Sequence, residues 1–269
     1  MRRELLAGVS AIALAIAGAS AATLFSDPAR AADLARKPPP PIVAPPPAYS
    51  WTGCYVGPHV GWGWGHNHAT EASFSPFSGG TVGPANTGIN TSGALFGGQV
   101  GCNYEFWGNW VVGIQGDFAG TDFNGKANDN LTDRPQGTDS TLSVKTEWLG
   151  SVTGRLGYAF WNNQVLVYAK GGGAWTRNQW DVHDAFDSFN NPIFSDNRSG
   201  WTVGGGVEWT LWSPNWTAFV EYNYYNFNSG GASITKTFEF GENVLTTGKQ
   251  EINTVKVGVN YKFNWWGGP

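Results

Sequence analysis

The residues able to do chemistry are of two kinds: histidines and carboxylates in polar stretches, and charges set singly inside apolar alternation. His66 and His68 stand two apart. In an extended segment both imidazoles then share one side, where they could hold a metal ion or haem. Two ligands lack the third and fourth that transition-metal sites usually take, so ordinary loop residues are the better reading and no metal is expected. Asp181, His183, Asp184, Asp187 and Asp196 could hold Ca²⁺ loosely. Their spacing does not match a calcium loop, and a solvated acidic loop fits better. The glycines fall within alternating segments and not ahead of a helix, so neither a phosphate-binding loop nor a nucleophile elbow is read. A lipid hydrolase with a Ser/His pair near a barrel rim is the rival of a different class. None of His59, His66, His68 and His183 has a Ser and a carboxylate in a sequence-fixed arrangement. The expectation is no enzyme and no cofactor.

The second kind comprises Asp117, Glu147, Arg155, Lys170, Glu208, Glu221 and Lys256, each next to at least one apolar residue of an alternating stretch. The stretch 252–263 shows the pattern best. Val255, Val257, Val259, Tyr261 and Phe263 share one parity; Thr254, Lys256, Gly258, Asn260 and Lys262 share the other, with Ile252 its one apolar member. Period two means strand. Twelve residues rising about 3.3 Å each and tilted by about 40° cross an apolar band roughly 25 Å tall. A lipid-facing row backed by a polar row requires a closed sheet, because open edges cannot be satisfied in hydrocarbon.

Seven further alternating segments lie at 53–65, 92–106, 110–121, 144–160, 164–177, 201–212 and 216–228. Short turns at 107–109, 161–163 and 213–215 alternate with long polar stretches at 66–91, 122–143, 178–200 and 229–251. The fold expected is an all-β, eight-stranded, antiparallel, up-and-down transmembrane barrel over 51–263, with short periplasmic turns and long extracellular loops. Almost every strand charge falls on one parity. An eight-stranded barrel is just wide enough for side chains to fill, so the seven charges above are expected to pair inside and plug it.

Composition agrees: 38 glycines, 15 tryptophans and 13% charged residues suit a wall facing lipid. A mean hydropathy of −0.27 rules out a multi-helix membrane protein. The formal charge of −4 gives no basic footprint for nucleic acid. Arg2 and Arg3 precede an apolar run over 5–24, and Ala29-Arg30-Ala31 is an A-x-A site, so 1–31 reads as a signal peptide. Prolines at 38–41 and 45–47 make 32–50 an extended periplasmic linker, a spacer in the first instance and a segment that could touch peptidoglycan in the second. The partners expected are outer-membrane lipid, lipopolysaccharide and the outer-membrane assembly machinery.

The runs 51–57, 97–101, 154–158, 199–208 and 257–263 resemble the alphaproteobacterial outer-membrane immunogenic proteins, OmpA-like eight-stranded surface-antigen barrels. The resemblance spans about 51–263 with the signal and proline-rich lead. It implies an integral outer-membrane protein of a Gram-negative cell with envelope-structural, surface-antigen and in some cases porin-like roles; haemin binding is attributed to some members. Two features depart from the family pattern: a tail over 264–269 after Phe263, and Cys54 with Cys102 where aromatics are expected. The cysteines share the lipid-facing parity near the periplasmic rim. Either they are bridged, which needs Cα atoms within about 7 Å, or they are two buried thiols.

Overall fold

The computed structural model describes residues 49–76, 85–128, 141–183, 193–228, 233–238 and 241–263. The expected signal peptide, most of the linker, the tail, Asp184 and Asp187 lie outside the described residues. Nine strands run in order: β1 (Gly53–Pro76), β2 (Ala85–Phe106), β3 (Trp110–Asn128), β4 (Thr141–Phe160), β5 (Val165–His183), β6 (Ile193–Thr210), β7 (Trp216–Phe227), β8 (Ser233–Phe238) and β9 (Gly241–Phe263). β1 to β7 pair sequentially, β7 pairs β9, and β9 pairs β1 to close an eight-stranded antiparallel ring. β8 is a short extra strand on the long-loop end of β9.

Closure joins Val56 to Tyr261, Val60 to Val257 and Trp62 to Val255. The outward residues Val100, Ile114, Val152, Val203 and Val257 are exposed, while Gln99, Gln115, Thr153, Thr202 and Lys256 are buried. Alternation has therefore sorted the wall as period-two side chains require. The outward valines lie between two aromatic girdles. One, at the short-turn rim, includes Tyr104, Trp110, Tyr158, Trp209, Trp216 and Tyr261; the other includes Trp62, Trp64, Phe118, Trp175 and Trp201. From Trp201 to Trp209 is eight residues, about 20 Å of height after tilt, which matches a hydrocarbon band with amphipathic rings at each interface.

The short turns use left-handed backbone. Trp107, Gly108 and Asn109 have φ of 42°, 61° and 107°, and Trp161, Asn162 and Asn163 have 49°, 56° and 64°. Gly and Asn tolerate that region at least cost. The Asn109 side-chain amide also donates to the carbonyl of Ala159 at 2.9 Å, fastening one turn to the next. Both turn tryptophans, Trp107 and Trp161, are exposed.

Two expectations are corrected. The strands run far past the expected ends: β1 continues to Pro76, β5 to His183, and β9 begins at Gly241. Beyond the lipid, sheet pairing needs no apolar outer row, so Thr, Asn, Ser and Gly sustain strands that their composition had assigned to loops. Glu147 does not face the lumen. A β-bulge between Thr146 and Trp148 sets two successive residues on the outer face. Val144 and Thr146 are buried, whereas Lys145 is exposed and Glu147 is half-buried. Glu147 instead pairs with Arg177, Oε2 to Nε at 3.0 Å.

Candidate functional site: the filled lumen

Six of the seven expected lumen charges are brought together. Arg155 on β4 and Glu208 on β6 form an ion pair, Nη2 to Oε2 at 2.9 Å, with both side chains nearly inaccessible. The Arg155 guanidinium lies 3.8 Å from the centre of the Tyr168 ring, a cation–π contact, and its Nη1 donates to the Tyr55 hydroxyl at 2.8 Å. Glu208 Oε1 accepts from Thr217 Oγ1 at 2.6 Å and Asn260 Nδ2 at 2.8 Å. Gln99 donates to Asn260 at 2.8 Å, and Gln115 donates to Gln99 at 3.0 Å and accepts from Tyr55 at 2.9 Å.

A second tier lies towards the long-loop rim. Glu221 on β7 accepts from Lys170 Nζ at 2.7 Å, Tyr168 at 2.9 Å and Asn223 at 2.9 Å. Asp117 on β3 takes Lys256 Nζ at 2.7 Å on one oxygen and His59 Nε2 at 2.9 Å on the other. Pairing at these distances offsets part of the desolvation of the buried ions, while Asp117 Oδ2, His59 Nε2 and Arg155 Nε are buried without a hydrogen bond of good geometry. Removing either partner leaves the other stranded.

Two apolar plugs bracket the network. At the short-turn rim, Trp51 enters the barrel mouth and packs with Val111, Ala159, Leu166 and Tyr168, with Tyr49 against them. Its indole Nε1 donates to the carbonyl of Asn163 and its backbone N donates to Glu105 Oε2, both at 2.9 Å. Lys262 Nζ donates to the carbonyl of Ser50 and sits 4.4 Å from the Tyr49 ring centre. The last two residues of the expected linker are thus tied to the barrel. Burial pushes the Tyr49 phenol up, and the carboxylates of Glu208 and Glu105 push it further. Above the second charged tier, Leu95, Ala119, Phe123, Leu149, Ala174, Tyr225, Phe227 and Ile252 form an apolar cluster across the lumen. Higher still, Thr146, Asn178 and Gln250 hydrogen-bond to one another, with Asn178 Nδ2 to Gln250 Oε1 at 2.7 Å. Arg198 pairs there with Asp196 at 2.7 Å.

Sequence reasoning missed the inward aromatics. A Cβ placed on Gly206 would stand 2.7 Å from Tyr168 Oη and one on Gly101 2.5 Å from Tyr55 Oη, so glycine opposite these two inward tyrosines is the signal that could have found them; Tyr225, opposite Thr202 and Ile252, carries no such signal. Cys54 and Cys102 stand directly opposite on β1 and β2 and are joined, with Cα atoms 3.9 Å apart. His66 and His68 lie on the outer face, ring centres 4.6 Å apart, and His66 Nδ1 meets Asn90 Oδ1 at 2.6 Å. Among the described residues, no group of three or more His, Cys, Asp and Glu is placed to hold a metal ion.

A closed antiparallel ring with a lipid-facing apolar wall, two aromatic girdles and a charged interior defines an integral β-barrel membrane protein of the outer-membrane class. The chain belongs to the outer membrane protein beta-barrel domain family, whose pattern matches residues 9–263. It is 30% identical over 247 residues to the 31 kDa outer-membrane immunogenic protein of Brucella melitensis, covering 91% of this chain and 98% of that one. It is 30% identical over 262 residues to a 22 kDa outer membrane protein of Rhizobium leguminosarum, covering 97% and 100%. Among solved structures it is similar to Ail of Yersinia pestis, with a TM-score of 0.35 and 16% identity over 79% of this chain and 99% of that one. The protein is an outer-membrane barrel of the alphaproteobacterial immunogenic group.

Proposed function

We propose that this protein is an anchor and surface antigen whose barrel is closed to solutes. The observation that carries the reading is the succession of buried layers across one lumen: the Trp51 plug, two charged tiers and the apolar cluster around Phe123. An eight-stranded interior has room for side chains and little else. Relatives described as immunogenic, together with strands that run well beyond the lipid on the long-loop side, support display of that end to the exterior. Catalysis has no part in the reading. His59 is buried against Asp117, away from any lipid at the rim.

Planar-bilayer recording of the full-length protein tests the closed lumen. Silence, or rare brief openings, is the expected result. Steady, reproducible conductance steps would instead make it a narrow porin.

A further inference from the structure

His66 and His68 fall on β1, where β2 and β9 pair with it on either side, and not in a loop. They continue the outward row of Trp62 and Trp64 past the girdle on the long-loop side, His68 exposed and His66 half-buried. A strand held on both edges presents the two rings without the entropy cost of ordering a loop.

The ring centres are 4.6 Å apart. With metal–nitrogen bonds of about 2 Å and ring centres about 1 Å behind the nitrogens, two imidazoles on one cation stand about 4.5 Å apart at a right angle and about 6 Å apart in line. The pair is therefore spaced to chelate one ion from one side, and is too close to clamp an iron between opposite faces. A second observation concerns the His66 tautomer. Asn90 Oδ1, on the facing residue of β2, lies 2.6 Å from His66 Nδ1. An amide oxygen only accepts, so Nδ1 carries the proton and Nε2 keeps its lone pair. Metal-ligating histidines are held by their other ring nitrogen in this way. The third is the space around that lone pair. Nε2 lies over Gly88, the residue directly opposite His68, and a Cβ there would stand 2.8 Å from it.

We propose that His66 and His68 form a two-imidazole site for a cupric ion on the outer face of β1, with water completing the coordination. No third His, Cys, Asp or Glu joins them among the described residues. Glu251 faces His66 from β9, but Lys249 holds it at 2.6 Å, so it adds negative charge nearby and is not a ligand. A site of two nitrogens and water selects the metal. Cu²⁺ heads the divalent affinity order and takes a tetragonal set of nitrogen and oxygen, whereas zinc sites usually take three or four protein ligands. The rings now meet edge to face. Rotation of the exposed His68 ring about its Cβ–Cγ bond brings its nitrogen round to the ion.

The test uses the full chain, without an affinity tag, folded in zwitterionic detergent and titrated with copper sulfate in a non-coordinating buffer. Electron paramagnetic resonance reads both the stoichiometry and the number of nitrogens on the metal. The parent should bind one tight Cu²⁺ with the superhyperfine pattern of two imidazole nitrogens. His66→Gln and His68→Gln should each fall to one nitrogen and bind about a hundredfold more weakly, the advantage of a second linked ligand being lost. His183→Gln, on β5, should match the parent. An equal concentration of Zn²⁺ should leave the copper signal in place. A one-nitrogen spectrum in the parent, copper retained unchanged in either β1 variant (as at the chain's own amine), an equal loss in His183→Gln, or displacement by Zn²⁺ would each overturn the assignment. Both substitutions lie on the outer face and leave the lumen network untouched. Unboiled electrophoresis checks that the variants keep the compact, heat-modifiable band, so a loss of copper is read on folded barrels.

Discussion

Arg155→Met is expected to lower the unfolding free energy by about 3–5 kcal/mol, the cost of leaving a buried charge without its partner. The guanidinium satisfies Glu208, the Tyr55 hydroxyl and the face of Tyr168 at once, and its removal strands a carboxylate that has only Thr217 and Asn260 as donors. Urea unfolding from lipid vesicles, followed by tryptophan fluorescence, reads the loss as a lower midpoint. Arg155→Met/Glu208→Leu separates the charge from the packing. Two apolar residues in place of a buried pair are often neutral, but Asn260 and Thr217 then lose an acceptor at about 1–3 kcal/mol. The double variant should therefore cost clearly less than the sum of its singles. Strict additivity, or an unchanged midpoint in Arg155→Met, would mean that the pair does not sit in the lumen.

Reduction is the second large effect. Cys54 and Cys102 enclose a separation of 48 residues, for which the chain-entropy relation gives about 4 kcal/mol of stabilisation through the unfolded state. The pair is directly opposite on neighbouring strands near the short-turn rim, on the side of the oxidising periplasm. Dithiothreitol should move the urea midpoint of the parent down, and Cys54→Ser/Cys102→Ser should unfold at the reduced parent's midpoint whether or not reductant is present. An identical midpoint with and without reductant, with equal thiol labelling of the unfolded chain in both, would show two free thiols.

Much of the fold was legible because lipid and lumen impose opposite demands on alternate residues. Lys256 between Val255 and Val257, and Arg155 between Gly154 and Leu156, fix the facing of their strands without any tertiary information. Where both faces are polar, or both apolar, that signal fails. Leu95, Phe123, Leu149 and Ile252 point inward although alternation was read as polar-inward, because a lumen this narrow can be filled by apolar side chains stacked on one another. Glu147 was misplaced for a different reason: a bulge inserts one residue and swaps the parity of everything N-terminal to it on β4, and no residue type announces it. The strand ends were read short because past the lipid the outer row no longer has to be apolar. Trp51 was legible as an aromatic near the first strand. That it turns into the barrel follows from its contacts with Glu105 and Asn163, which come together only after closure.

Nitroxide accessibility tests the inside-outside sorting most directly, since the only two cysteines of the chain are joined and leave no background for labelling. Single labels at Ile114 and Val257, on the outer wall, are compared with labels at Thr153 and Thr254, on the inner wall, in bilayers. Outer labels should collide freely with dissolved oxygen, and inner labels should be shielded from both oxygen and a water-soluble nickel chelate. Equal oxygen collision at all four positions, or nickel access to Thr153 and Thr254, would contradict a closed ring with a filled interior.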